Sequence, residues 1–347
     1  MMSIRIFEAP YNNDFNSASF FSENGEGSMF GGDYFFTGEK GSWYGSDWMI
    51  VCDSSYSCFY TDIPRERRIL FFGEPPEIRN YSKYMYYLEQ FGTIVSMSEI
   101  PDYTGRVIIS NPKLGWTAGI SGAMNSFTKA MNYPVPEKTK IMSSVSSLKH
   151  STEYHRKRIK FIREIQREFA GEIDCFGREY NPVNDKLDAI APYKYHIAIE
   201  NSRHRNYWTE KLTDAWAGWS LPIYFGDPSI LEQVPDKRGI EVIDINDVTS
   251  SLAKIREIID DDIYSSRLGA IRTCREWALR ASNRYISACE IISESESTLP
   301  PKKAPELFRT LISKRKSDVY KLLCKISPYL ADKALISYCR KKGRFWE

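Results

Sequence analysis

The stretch that most restricts how this chain can fold runs from Tyr193 to Ser229, YKYHIAIENSRHRNYWTEKLTDAWAGWSLPIYFGDPS. Its apolar alternating run, Tyr195 to Ile199, reads as a buried strand that ends in Glu200-Asn201. A polar loop, Ser202 to Asn206, follows. Thr209 is a good N-cap, and the helix it opens carries Leu212, Ala215, Trp216 and Trp219 inward at helical spacing. A second strand, Leu221 to Phe225, closes on Gly226-Asp227-Pro228. Strand, loop, helix, strand is a βαβ unit, which calls for a parallel sheet and puts a ligand site in the loop at the strand's carboxyl end. The helix N-terminus there offers free N–H groups and positive potential, which suit a phosphate. Lys211 adds a full charge at that point, and Glu210 an acceptor for sugar hydroxyls. Taken alone, T-E-K is also an ordinary helix start.

A second helix sharpens the reading. Ser151-Thr152 can cap a helix over Glu153 to Phe169, with Tyr154, Phe161, Ile162, Ile165 and Phe169 on one face at 100° per residue. Arg156, Lys160, Arg163 and Arg167 share the opposite, solvated face. Arg158 falls within the apolar face. An inward arginine needs an anionic partner, because burying it unpaired is prohibitive. A bound diphosphate fits, since arginine suits bidentate phosphate contact. An acid of the protein itself is the other candidate.

The N-terminal half alternates strands and helices loosely. Strands are expected at Ile4 to Phe7, Trp48 to Cys52, Arg68 to Phe72, Thr93 to Met97 and Arg106 to Ser110. Helices are expected at Ser82 to Gln90 and Ser121 to Met131. Residues 10 to 47, rich in Gly, Asn, Ser and aromatics, read as a long surface loop, for the glycines lack nucleotide-binding spacing. The strand from Arg68 runs into Gly73-Glu74-Pro75-Pro76. Two prolines fix one carboxylate at a strand's carboxyl end, the placement that a general base needs. Glu77 is the alternative base. The two prolines of Asn132 to Lys138 mark the domain boundary. The expected division is 1–135 and 136–298 as two α/β domains and 299–347 as a tail.

Composition excludes several classes. With 347 residues, 42% hydrophobic and 27% charged, the chain is globular and can hold two cores. Seven cysteines without a C-x-x-C pair argue against a disulfide framework and a zinc site, and for a reducing compartment. The four histidines lack metal spacing. Asp260-Asp261-Asp262 contains a D-x-D triplet, but no strand precedes it, so it reads as a solvated turn. No run of 18 apolar residues and no signal peptide is visible, so a cytoplasmic location is expected.

The central string resembles the donor-binding signature of the α-1,3/1,4-fucosyltransferases, glycosyltransferase family 10. That pattern is an aromatic-rich strand ending E-N-S, a short loop, Y-x-T-E-K, a helix, then P-[IV]-x-x-G-x-P-[SN]. Tyr193, Tyr195, Glu200, Asn201, Ser202, Tyr207, Thr209, Glu210, Lys211, Pro222, Gly226, Pro228 and Ser229 match it. Arg158, three residues before Phe161, resembles the family's donor-phosphate arginine, and Ile173-Asp174-Cys175-Phe176-Gly177 resembles its V-D-x-[FY]-G strand end. The Gly73-Glu74 element matches only in part, since Pro75 replaces the family's serine.

The resemblance implies an α/β protein of the GT-B architecture, with two Rossmann-like domains facing a cleft. It implies an inverting fucosyltransferase that moves L-fucose from GDP-β-L-fucose to a glycan hydroxyl, α-1,3 or α-1,4 to N-acetylglucosamine or a related sugar of a surface polysaccharide. Lipopolysaccharide biosynthesis or protein glycosylation would be its setting. Glu74 would be the base, and Arg158 and Lys211 the diphosphate clamps. Tyr207 and Glu210 would meet nucleotide or fucose hydroxyls, with Glu200 and Asn201 as site-wall residues. No metal and no cofactor is implied. The other readings are a GT-B enzyme with another sugar nucleotide, and a non-enzymatic binder of membrane or nucleic acid.

The last reading comes from the tail. From Pro301 onward there are 13 Lys and Arg against 4 Asp and Glu, which leaves 34 against 41 elsewhere. Phe308, Leu311, Ile312, Val319, Leu322, Leu323 and Ile326 recur at helical spacing among Lys302, Lys303, Arg309, Lys314, Arg315, Lys316, Lys321 and Lys325. A basic amphipathic helix suits peripheral contact with anionic lipid on the inner face of the cytoplasmic membrane. No base-reading motif accompanies it, so no nucleic-acid partner is expected. Docking on the acidic body is the alternative.

Overall fold

The computed structural model describes residues 3–9, 21–55, 57–76, 78–295, 305–310, 319–320, 323–324, 327–342 and 344–345. It divides into two compact units, Met1–Pro112 with Arg284–Glu347, and Lys113–Asn283. The division therefore falls at Pro112/Lys113 and Asn283/Arg284, where the sequence suggested 135/136 and 298/299.

The first unit is built on a sheet of β1 (Ile4–Ala9), β2 (Ser28–Met29), β3 (Tyr34–Thr37), β4 (Trp48–Cys52), β6 (Arg68–Phe71), β7 (Thr93–Ser96) and β8 (Arg106–Ile109). The order is β2-β3-β1-β4-β6-β7-β8, with only β2 antiparallel to its neighbour. β4 and β6 lie in the middle and are buried on both faces, which explains why WMIVC and RILF read as apolar runs with no alternation. Where a full helix was expected from Ser82, a 3₁₀ turn (Tyr81–Tyr84) leads into the single α-turn α1 (Met85–Leu88).

The second unit holds a fully parallel sheet of β9 (Lys140–Val145), β10 (Ile173–Phe176), β11 (Tyr193–Ile199), β12 (Leu221–Phe225) and β13 (Glu241–Val242), in the order β10-β9-β11-β12-β13. Its helices are α2 (Phe127–Asn132), α3 (Glu153–Glu168), α4 (Glu210–Ala217), α5 (Ile230–Gln233), α6 (Val248–Asp260) and α7 (Tyr264–Ala281). β12 is buried throughout although it contains Pro222. A central strand tolerates this because β13 pairs only with Ile223 and Tyr224, so no ladder bond toward β13 is lost at the proline. Met142, Phe161, Ile165, Tyr195, Trp216, Ile223 and Ile271 belong to one continuous core.

The chain then returns to the first unit through α8 (Arg284–Ser295), β14 (Glu306–Phe308) and α9 (Pro328–Lys341). The single amphipathic helix expected from Ala304 to Phe345 is not what forms. Glu306 to Phe308 pair antiparallel with β5 (Phe59–Thr61), and Phe308 is fully buried between Phe59, Tyr87 and Phe91. α9 buries Ala331, Leu335 and Cys339 against Cys58, Leu307 and Tyr320. Arg309 holds Asp332 through two hydrogen bonds of 2.9 and 2.8 Å. Leu311, Ile312, Leu322, Ile326, Lys302, Lys303, Lys314, Arg315, Lys316, Lys321 and Lys325 lie outside the described residues or have undescribed side chains. Among the described residues, no helix is long and apolar enough to cross a membrane.

Candidate functional site

In the second sheet the strand order reverses direction between β9 and β11, which makes the crevice at their carboxyl ends the expected ligand site of a doubly wound sheet. The structure brings several sequence-predicted residues to that place. Ser147 follows β9, and Asn201 follows β11. Arg158, on α3, spans the two. Its Nη1 donates to Asn201 Oδ1, and its Nη2 donates to the Ser147 carbonyl (3.1 Å) and Oγ (3.3 Å). Helix α3 starts where the sequence suggested: Thr152 caps it and His155 closes a reciprocal capping box. Arg158 is 5% exposed, whereas Arg156, Lys160 and Arg163 face solvent. Burial lowers the Arg158 pKa, and the nearby Glu200 carboxylate, then Tyr180 and Tyr207, oppose that.

One turn away lies a dense ionic cluster. Glu200 is fully buried and accepts from the Thr209 amide (2.8 Å) and from its hydroxyl (2.8 and 3.1 Å), so the strand end is tied to the helix cap. Lys211 Nζ sits 3.4 Å from Glu200 and 3.3 Å from Glu210. Lys186 reaches Asp214 at 3.0 Å and Glu210 at 3.9 Å. Burial pushes the Glu200 carboxyl up, partly offset by Lys211 and Thr209. Burial acts the same way on Glu210, but Lys211 and Lys186 outweigh it and hold that carboxyl at about 2. For Lys211, Glu210 and Glu200 overcome the burial that would lower it, and its pKa is raised. The Tyr207 phenol is buried and within electrostatic reach of Arg158 and Lys211. Glu200 thus ties the end of β11 to the α4 cap from a buried position, and Lys211 is shared between two carboxylates.

Around this cluster several buried polar atoms have no hydrogen-bond partner among the described residues: Arg158 Nε, Tyr224 Oη, Ser229 Oγ and Ser146 Oγ. Each such atom costs about 1–3 kcal/mol unless a ligand or water pairs with it. Gly226 is required locally, for a Cβ there would lie 2.0 Å from the Tyr224 hydroxyl.

Glu74 belongs to the other unit. It follows β6, a central strand, and is half-buried on the Gly73-Pro76 turn. Its carbonyl accepts from Tyr81 Oη (3.1 Å), while Asp53 accepts from the Gly73 amide (3.1 Å) and pairs with Arg79 (2.9 Å). The turn is therefore braced on both sides of the glutamate. Glu77, the alternative, lies outside the described residues.

Sequence reasoning missed Lys186 and Asp214. Asp214 accepts from the Thr117 amide and hydroxyl (2.6 and 2.7 Å) and the Ala118 amide (2.9 Å) besides Lys186. A signal existed: Glu210 and Asp214 are one turn apart on a helix otherwise apolar inward, and buried carboxylates need cations. Trp219 is inward as expected but follows the helix, at φ +60°, where its indole N–H donates to the Tyr133 carbonyl (3.0 Å). In the acidic triplet, Asp262 pairs with Lys194 (2.7 Å) and Asp260 with Arg256 (3.7 Å). His196 is a core residue whose Nδ1 lies 2.8 Å from Ser143 Oγ, and burial pushes its pKa down to about 3.

Residues 135–297 match the family described as glycosyltransferase family 10 (fucosyltransferase) C-term. The chain is 30% identical over 144 residues to the 4-galactosyl-N-acetylglucosaminide 3-alpha-L-fucosyltransferase 9 of Mus musculus and to that of Homo sapiens. The match covers 40% of this chain and 38% of each relative's length. A crystal structure of an alpha1,3-fucosyltransferase with GDP superposes with a TM-score of 0.50 at 15% identity, covering 85% of this chain and 91% of that one. That likeness, with a wholly or mostly parallel sheet in each of two α/β units, gives the fold class as GT-B.

Proposed function

We propose, from the premise that residues 135–297 are a domain of glycosyltransferase family 10, that this chain is a fucosyltransferase using GDP-β-L-fucose with inversion. The observation that carries the donor part is Arg158, a buried guanidinium bridging the loops after β9 and β11 with its Nε still unpaired. A diphosphate supplies the anionic acceptors that this geometry lacks. The N-terminus of α4 adds oriented N–H groups. Lys211 adds a charge attenuated by Glu200 and Glu210, so Arg158 is the stronger of the two clamps.

The reaction is a single displacement. The acceptor hydroxyl oxygen bonds to C1 of fucose as the bond from C1 to the β-phosphate oxygen breaks. The hydroxyl proton passes to Glu74, and GDP leaves with the electron pair, neutralised by Arg158, Lys211 and helix N–H groups. Written this way, the step needs no metal, and transfer should persist in a chelator. Tyr207 and Glu210 face nucleotide or fucose hydroxyls in this reading, and Asn201 holds Arg158. A cytoplasmic location and an N-acetylglucosamine-containing acceptor, linked α-1,3 or α-1,4, belong to the same proposal. Calorimetry against GDP, GDP-fucose, GDP-mannose and UDP-sugars tests it. Tight binding of GDP and GDP-fucose supports the reading, and preference for a different nucleotide overturns it.

A further inference from the structure

The first unit carries a groove of about 680 Å³ between α9 and the β5–β14 ribbon. Its walls present three aromatic rings, Tyr60, Tyr329 and Phe345, beside three cations, Lys333, Arg340 and Lys341. The one carboxylate among the lining residues, Asp332, is held by Arg309 and by Tyr320 (2.6 Å), so it does not neutralise the groove. Lys333 and Lys341 have no ion-pair partner among the described residues, and both are exposed. Tyr60 and Tyr329 are 43% and 66% exposed, too open for rings that serve only as core.

We propose that this groove binds an acidic glycan chain, the acceptor polymer or a stretch of it. The proposal rests on the fucosyltransferase reading for the choice of a saccharide. Pyranose rings have apolar C–H faces that lie flat on aromatic rings, while their carboxylates pair with ammonium and guanidinium groups. Both features are needed, and the groove supplies both. A bilayer favours convex apolar surface, and this surface is concave. Lys333 stands 4.6 Å over the Tyr329 ring and the Arg340 guanidinium 5.0 Å over Phe345, which places a cation on two of the three rings. The Tyr60 ring, 43% exposed and with no cation over it among the described residues, is the one on which a sugar face lies.

The experiment is calorimetry on the full chain with two probes of equal length. A hyaluronan hexasaccharide carries carboxylates, and an N-acetylglucosamine hexamer carries none. The hyaluronan probe is expected to bind at least tenfold more tightly, the size of one charge-assisted contact. The double variant Lys333→Ala/Lys341→Ala should erase that difference, and Tyr60→Ala should weaken both probes. Both variants should keep wild-type GDP affinity, which reports on the donor site separately. Equal binding of the two hexamers, or no binding, overturns the inference even if GDP binds well. So does tighter capture, through the same lysines, by a single-stranded oligonucleotide or by vesicles of anionic phospholipid.

Discussion

The carboxyl edges of the two sheets handle buried charge in opposite ways. In the second unit, Glu200, Glu210 and Asp214 interlock with Lys186 and Lys211 beside Arg158, and Lys186, Lys211 and Glu210 are each shared between two partners. In the first unit the acids are matched singly with arginines: Glu8 with Arg284 (2.9 Å) and Asp53 with Arg79 (2.9 Å). Glu74 stands half-buried on the turn that follows β6. A network of shared charges is rigid and preorganised, which suits gripping a polyanion whose charge hardly changes. A carboxylate held on a braced, half-buried turn at a strand's end has the fixed placement that a base needs. The contrast predicts that changes in one unit damage binding and changes in the other damage turnover.

The largest effect should come from the first unit. Glu74→Gln keeps shape and removes basicity, so transfer should fall about 10²–10⁴-fold with GDP-fucose affinity unchanged. Glu77→Gln is the matched control. Should Glu77→Gln abolish transfer while Glu74→Gln does not, the base lies three residues further along. Loss of donor affinity in Glu74→Gln would erase the contrast between the units.

Next in size is the dependence of the first unit on its tail. Phe308 closes the aromatic cluster with Phe59 and Phe91, and Phe308→Ala should cost about 3–5 kcal/mol in denaturant unfolding. Deleting residues 301–347 should unfold the first unit. A deletion that left its stability intact would restore the tail as an independent element.

The second unit should be the more acid-sensitive through histidine, because His150, His155, His196 and His204 all belong to it. The His196 pKa is lowered from 6.5 to about 3, so between those values the unfolded chain holds a proton that the folded one does not. Stability is therefore lost progressively as pH falls from 6.5 toward 3. His196→Gln should flatten that part of the stability profile measured by chemical denaturation. An unchanged slope would mean that His196 is protonated in the fold.

The smallest predicted effects separate the cations of the proposed donor site. Arg158→Ala should weaken GDP binding by about 1.5–3 kcal/mol, tenfold or more, with Lys211→Ala weaker in effect and Arg156→Ala near zero. Equal losses at Arg156 and Arg158 would show that the inward face of α3 has no special role.

The second unit was legible in the sequence because its information is local. Strand, N-cap and helix in Tyr193 to Ser229 are set by spacing and capping chemistry, and one buried arginine among apolar residues at 3.6-residue period announces itself. The same periodicity misled in the tail, where Phe308 and its neighbours share helical spacing but a strand forms. There, pairing with Phe59 to Thr61, nearly 250 residues earlier in the chain, outweighs a weak local preference. Likewise Trp219 takes a left-handed backbone only because Tyr133 and the core reward it. Lys186 joined the site because Asp214 and Glu210, distant in sequence, meet it in space. Sequence by itself determined the elements whose hydrogen bonds and faces close within about twenty residues. Tertiary structure alone decided the rest, because a buried charge or ring takes its conformation from whichever distant partner excludes water from it.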